Sequence, residues 1–152
     1  MKMKNTNYKQ LGVMLALSFV AMFILTYAMV DSFSNVYSNL NKAYMAGLMT
    51  APMGLIELAI MRAMYTDRRL NAIVAAGSAV LLVGCWMLIR QQAAITDVQF
   101  LRSMIPHHAS AILMCNEAPV TDQAIRDLCK SIVSSQHAEI DQMKAVLSRL
   151  DR

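Results

Sequence analysis

The chain has 152 residues, 57% of them hydrophobic and 16% charged, and its mean hydropathy is +0.40. That balance argues against an ordinary soluble domain and leaves room for a few membrane spans and one small domain. The net charge of +4 does not point to nucleic acid, because residues 1–90 hold eight Lys/Arg against three Asp/Glu while residues 91–152 hold six against seven. Basicity confined to the apolar half reads as a topology signal.

In chain order, Lys2, Lys4 and Lys9 precede an unbroken apolar run over residues 11–30. Twenty residues rise about 30 Å as a helix, enough to cross the hydrocarbon core. A secretory signal is the rival, but the run exceeds an ordinary signal core and Ala28-Met29-Val30 is a poor cleavage site, so a retained anchor is expected. Residues 31–42 are polar, with three asparagines and neither glycine nor proline, and predict a short loop with a helical turn. Two further spans follow, at about 43–64 and 70–89, joined by a tight basic connection. Gly47 and Gly54 lie seven apart, as do Gly77 and Gly84, so these spans are expected to pack as a hairpin on their glycine faces.

Lys2, Lys4, Lys9, Arg62, Arg68 and Arg69 flank one side of such a membrane domain and only Lys42 and Arg90 the other. The positive-inside rule then predicts a cytoplasmic N-terminus, three spans and a periplasmic C-terminal domain in a bacterial inner membrane. Met45, Met49, Met53, Glu57 and Met61 recur every four residues within the second span. Ordinary packing of methionine, with Glu57 snorkelling or paired to Arg62, outweighs a thioether-lined ion path, because three spans are few for enclosing one.

The chemistry-bearing residues gather after Arg90. Residues 91–96 are expected to continue the third helix, followed by helices over about 97–117 and 122–150. Pro119 ends the first and Thr121 suits an N-cap for the second, giving a short αα-hairpin; Pro106 predicts a kink ahead of His107 and His108. Met104, His107, His108, Ala111 and Met114 follow helical spacing, as do Gln136, Glu139, Ile140, Met143 and Leu147. A tight antiparallel turn would set Met104 level with Ser135, His108 with Ser131 and Glu139 with Phe100. Imidazole, thioether and carboxylate groups on facing helices suggest a metal site, and thioether with imidazole selects a soft ion. Hydrogen-bonded histidines and core methionines are the competing explanation for each residue taken alone. His137 reads as exposed. The same register sets Cys129 about 7 to 8 Å beyond Cys115, too far for comfortable bridging, which leaves free thiols, soft-metal contacts or an intersubunit bond. Cys85 reads as a small apolar residue of the third span.

Phe100, Met104, His107-His108, Ala111 and Met114, followed by Gln136, Glu139-Ile140 and Met143, resemble the CopM-like domain-of-unknown-function family 305, over about residues 97–150. The resemblance implies a ferritin-like helical domain of the periplasm. Some members of that family bind copper and silver through Met and His, which implies Met104, His107, His108, Met114 and Met143 as ligands, with Gln136 and Glu139 ligating or supporting. The chain departs from the family picture in carrying one hairpin where a four-helix bundle needs two.

Competing chemistries find no footing. His137-Ala138-Glu139 lacks the downstream P-C-x-x-C of zinc deaminases, no H-E-x-x-H or phosphate-binding loop occurs, and a di-iron site needs more carboxylates than Glu139. The expectation is therefore an all-α protein: a membrane domain of residues 1–90 with three transmembrane helices, then a ferritin-like hairpin domain of residues 91–152 that forms half of a four-helix bundle. It would bind Cu(I) or Ag(I) without catalysis, self-associate as a homo-oligomer, and have the lipid bilayer but no nucleic acid as partner. A metal-free assembly or adaptor module is the alternative.

Overall fold

A computed structural model of the chain describes residues 2–151, with side chains from Thr6 onward. Met1 and Arg152 lie outside the described residues, as do the side chains of Lys2 and Lys4 on which part of the charge asymmetry rests. Among the described residues there are five α-helices and no strand: α1 (Lys2–Leu25), α2 (Leu40–Ile60), α3 (Arg68–Gln91), α4 (Asp97–Glu117) and α5 (Gln123–Leu150), with a single 3-10 turn at Phe33–Asn35. The chain divides into two units, one of Met1–Thr26 with Asn41–Ala93, the other of Tyr27–Leu40 with Ala94–Arg152.

In the first unit, Thr6–Leu25, Leu40–Ile60 and Arg68–Gln91 are each long and apolar enough to cross a membrane, by length and composition. Their surfaces are largely exposed, as lipid-facing surfaces would be. The first of these segments ends five residues before the expected boundary. Thr26 Oγ1 donates back to the Phe23 carbonyl (2.7 Å), and the chain leaves the helix in a turn. The buried face of α2 is Ala46, Gly47, Thr50, Ala51 and Gly54. A Cβ at Gly47 would lie 2.7 Å from Cys85 Sγ, and one at Gly54 would lie 2.5 Å from Ser78 Oγ. A Cβ at Gly77 or Gly84 would meet nothing within 4 Å, so the glycine-to-glycine pairing expected of α2 and α3 is not what forms. The α2 glycines meet Ser78 and Cys85, which are likewise seven apart and small enough for close approach.

Met45 and Met49 are exposed, on the side of α2 away from that packing, and Met61, just past the end of α2, is exposed as well. Glu57 takes a hydrogen bond from Tyr65 Oη (3.3 Å), a partner outside the two alternatives read from sequence, snorkelling or a pair with Arg62. The α2–α3 connection is tied down by Asp67, whose carboxylate accepts from Arg69 N (2.9 Å) and Leu70 N (3.1 Å), and by Tyr8, which donates to Asn71 Oδ1 (2.6 Å). Such a cap contributes about 1 kcal/mol.

Helix α3 does not continue toward the hairpin. It ends at Gln91, with Gln92 and Ala94 in the left-handed region (φ 49° and 58°), and α4 restarts after Thr96, whose side chain accepts from Gln99 N (3.4 Å). In the second unit, α4 and α5 form an antiparallel hairpin on a core of Leu101, Ile105, Ala109, Ile112, Ile140 and Leu147. Val30 and Tyr37 pack on this core, so residues 27–40, read from sequence as the end of the first span and most of the 31–42 loop after it, belong with the hairpin.

Asn39 explains how that segment is held. A proline at 106 has no N–H to give the Arg102 carbonyl four residues back. The buried Asn39 supplies the missing donor, its Nδ2 lying 3.1 Å from Arg102 O, and α4 runs unbroken through Pro106. Gln99 Oε1 accepts from Leu40 N (2.9 Å) beside it.

Candidate metal centre

The stripe that α4 buries is Leu101, Ile105, Ala109 and Ile112, not the expected stripe of methionine and histidine. Side chains advance about 100° per residue, so Met104 and His108 flank the buried stripe while His107 and Met114 turn to the outer face. Accordingly Met104 and His108 are half-buried, and His107 and Met114 are exposed. The two imidazole rings stand edge to face with centroids 6.0 Å apart. On α5, Ile140 and Leu147 are buried, Met143 packs against the core, Gln136 is half-buried, and His137 is exposed as expected.

His108 is the most constrained of the candidates. Its Nδ1 lies 2.9 Å from the Met104 carbonyl oxygen, an atom that only accepts, so Nδ1 carries a proton. Its Nε2 lies 2.8 Å from Glu139 Oε2. A histidine whose Nδ1–H is spent on a backbone carbonyl is oriented to offer Nε2 to a metal. Here Glu139 occupies that direction, and a 2.8 Å gap between Nε2 and the carboxylate is too short to hold a metal ion between them. Since the carboxylate is 50% exposed, the pair belongs to the class of ion pairs worth about 1 kcal/mol or less, and it opens at little cost.

The hairpin register differs from the expected one. Glu139, not Ser131, stands beside His108, a shift of eight residues or about 12 Å. The cause is the connection: Ala118 and Asp122 are extended, α5 starts only at Gln123, and Asp122 rather than Thr121 caps it by accepting from Ile125 N (3.1 Å). Two consequences follow for the candidate ligands. Met143 comes level with Met104, and Gln136 moves a turn from His108 toward the connection. The tight turn assumed from sequence would put Glu139 level with Phe100 instead.

The same shift brings the two outer cysteines together. Cys115 and Cys129 are free, half-buried thiols lining one cleft. Hydrogen bonding to Cys129 raises the Cys115 thiol above its ordinary pKa, with desolvation adding to the effect. Among the described residues, no group of three or more His, Cys, Asp or Glu side chains converges. Oxygen and nitrogen donors alone therefore do not complete a coordination shell around His108. The register sets Met104 on α4 and Met143 on α5 in the neighbourhood of His108, and imidazole with thioethers is a donor combination that selects soft ions.

Fold and sequence together define an all-α protein with three long apolar helices and a helical hairpin bearing methionine and histidine. The chain belongs to the family described as Domain of unknown function (DUF305), which matches residues 32–147. That match is longer than the 97–150 from which the resemblance was read, and it takes in α2, α3 and the segment that holds Asn39. An uncharacterized protein of Acanthamoeba polyphaga mimivirus is 31% identical over 144 residues, covering 93% of each chain. No solved structure matches significantly.

Proposed function

We propose that this protein is a membrane-anchored binder of Cu(I) or Ag(I), serving metal handling or resistance without catalysis. Its ligands are His108 Nε2, Met104 and Met143, with Glu139 holding the imidazole until an ion arrives. The observation that carries the reading is the hydrogen bond from His108 Nδ1 to the Met104 carbonyl, which leaves Nε2, now against the half-exposed Glu139, as the nitrogen that can ligate. His107 and Met114, on the outer face of α4, drop out of a monomeric site, and Gln136 stays at its margin. Three apolar helices and the excess of Lys/Arg at the N-terminus and the α2–α3 connection support a bilayer location, with the hairpin on the side away from those charges, periplasmic in a bacterial inner membrane. The test is metal content and Ag(I) affinity of the full chain, purified in mild detergent without a histidine tag. Failure to retain either ion would refute the reading.

A second reading is a metal-free assembly module. Phe100, Met114, Ile125 and Leu128 are exposed on the hairpin, and a second hairpin covering them would complete a ferritin-like four-helix bundle. The two readings are compatible, since a homodimer could also bring outer-face His107 or Met114 to a shared ion.

A further inference from the structure

At the connection end of the hairpin, a cleft of about 440 Å³ opens between α4 and α5. Cys115 and Cys129 line it from opposite helices, together with Asn116, Val120, Arg126 and Lys130. Both thiols are free and partly accessible, and neither is used by the histidine–methionine patch. Arg126 Nε donates to the Val120 carbonyl (3.0 Å), which fixes a guanidinium at the cleft wall. Thiolate is the form that ligates metal.

We propose that Cys115 and Cys129 form a two-thiol site for a soft, thiophilic metal ion such as Ag(I) or Cu(I). On binding, two sulfur–metal bonds form, the two thiol protons pass to solvent, and neither sulfur nor metal changes oxidation state. A pair of thiolates prefers a soft monovalent ion over calcium or magnesium, which take oxygen ligands. Along α4, Cys115 lies seven residues, or about 10 Å, beyond His108, so this site is distinct from the one proposed above and does not depend on it. In an oxidising compartment the competing fate of the same pair is a disulfide.

The experiment uses the full chain in detergent with one equivalent of Ag(I) and an excess of a monothiol competitor, followed by alkylation and intact-mass counting of modified thiols. Cys115 and Cys129 should be protected together, with Cys85 as internal reference. Each of Cys115→Ser, Cys129→Ser and Cys129→Ala should lose that protection and bind Ag(I) at least about tenfold more weakly under competition, since the advantage of two linked thiols over free ones is one of effective concentration. Unchanged helical content in any one of them shows that the loss is not unfolding. His108→Ala should leave the protection unchanged. Protection of only one thiol per ion, full affinity in a folded single variant, or recovery of the pair as a disulfide that survives the monothiol would each overturn the proposal.

Discussion

His107 and His108 are neighbours in sequence and differ in nearly everything that matters for ligation. His108 is fixed through both ring nitrogens, whereas His107 faces outward. With Cys115 and Cys129 both changed to Ser, so that only this site is read, His108→Ala should therefore abolish most of the remaining Ag(I) uptake in equilibrium dialysis, His107→Ala should leave it near the value of that background, and the double histidine variant should be no worse than His108→Ala. Equal losses in the two single variants would show that the ion sits elsewhere. Because Glu139 competes for Nε2, Glu139→Ala should strengthen Ag(I) binding by up to about fivefold, the equivalent of an ion pair of ~1 kcal/mol. Weaker binding in that variant would make Glu139 a ligand instead.

Helix α4 depends on a donor supplied from outside itself. Asn39→Ala should cost about 1–3 kcal/mol in thermal or denaturant unfolding of the hairpin, the range for leaving a buried carbonyl unpaired. In a Pro106→Ala background residue 106 regains its N–H, so the same Asn39→Ala change should cost markedly less; additive effects would mean that the amide does not replace the proline's missing hydrogen bond. Among the apolar helices, Gly54→Val should disrupt packing against Ser78, while Gly84→Val, where an added Cβ would meet nothing within 4 Å, should be tolerated. Thermal aggregation temperature in detergent separates the two, and equal sensitivity would contradict the observed pairing.

For the molecule as a whole, the charge asymmetry predicts that a reporter active only outside the cytoplasm, fused after the last residue, is active in bacterial cells. Activity from a cytoplasm-only reporter at that position would overturn the three-span topology. Mass measurement in mild detergent should find dimers or larger species, because the hairpin leaves Phe100, Ile125 and Leu128 uncovered. Dimers that persist when Ile125 and Leu128 are both changed to Ser would locate the contact elsewhere.

The helices and their class were legible in the sequence, since apolar run length and 3.6-residue periodicity are local properties. The family was legible too, from the methionine and histidine spacing, and so were the hairpin, the helical turn in the loop and the exposure of His137. What periodicity does not contain is the relative sliding of two helices or the contacts made by an irregular segment. An extended connection at residues 118–122 moved the register by two turns, bringing Glu139 to His108 and Cys129 to Cys115. The carbonyl left without a donor by Pro106 drew Asn39, 63 residues earlier in the chain, onto α4. The two α2 glycines found Ser78 and Cys85, not Gly77 and Gly84, because helix packing selects the small side chains on the facing stripe and glycine spacing alone does not say which stripe that is.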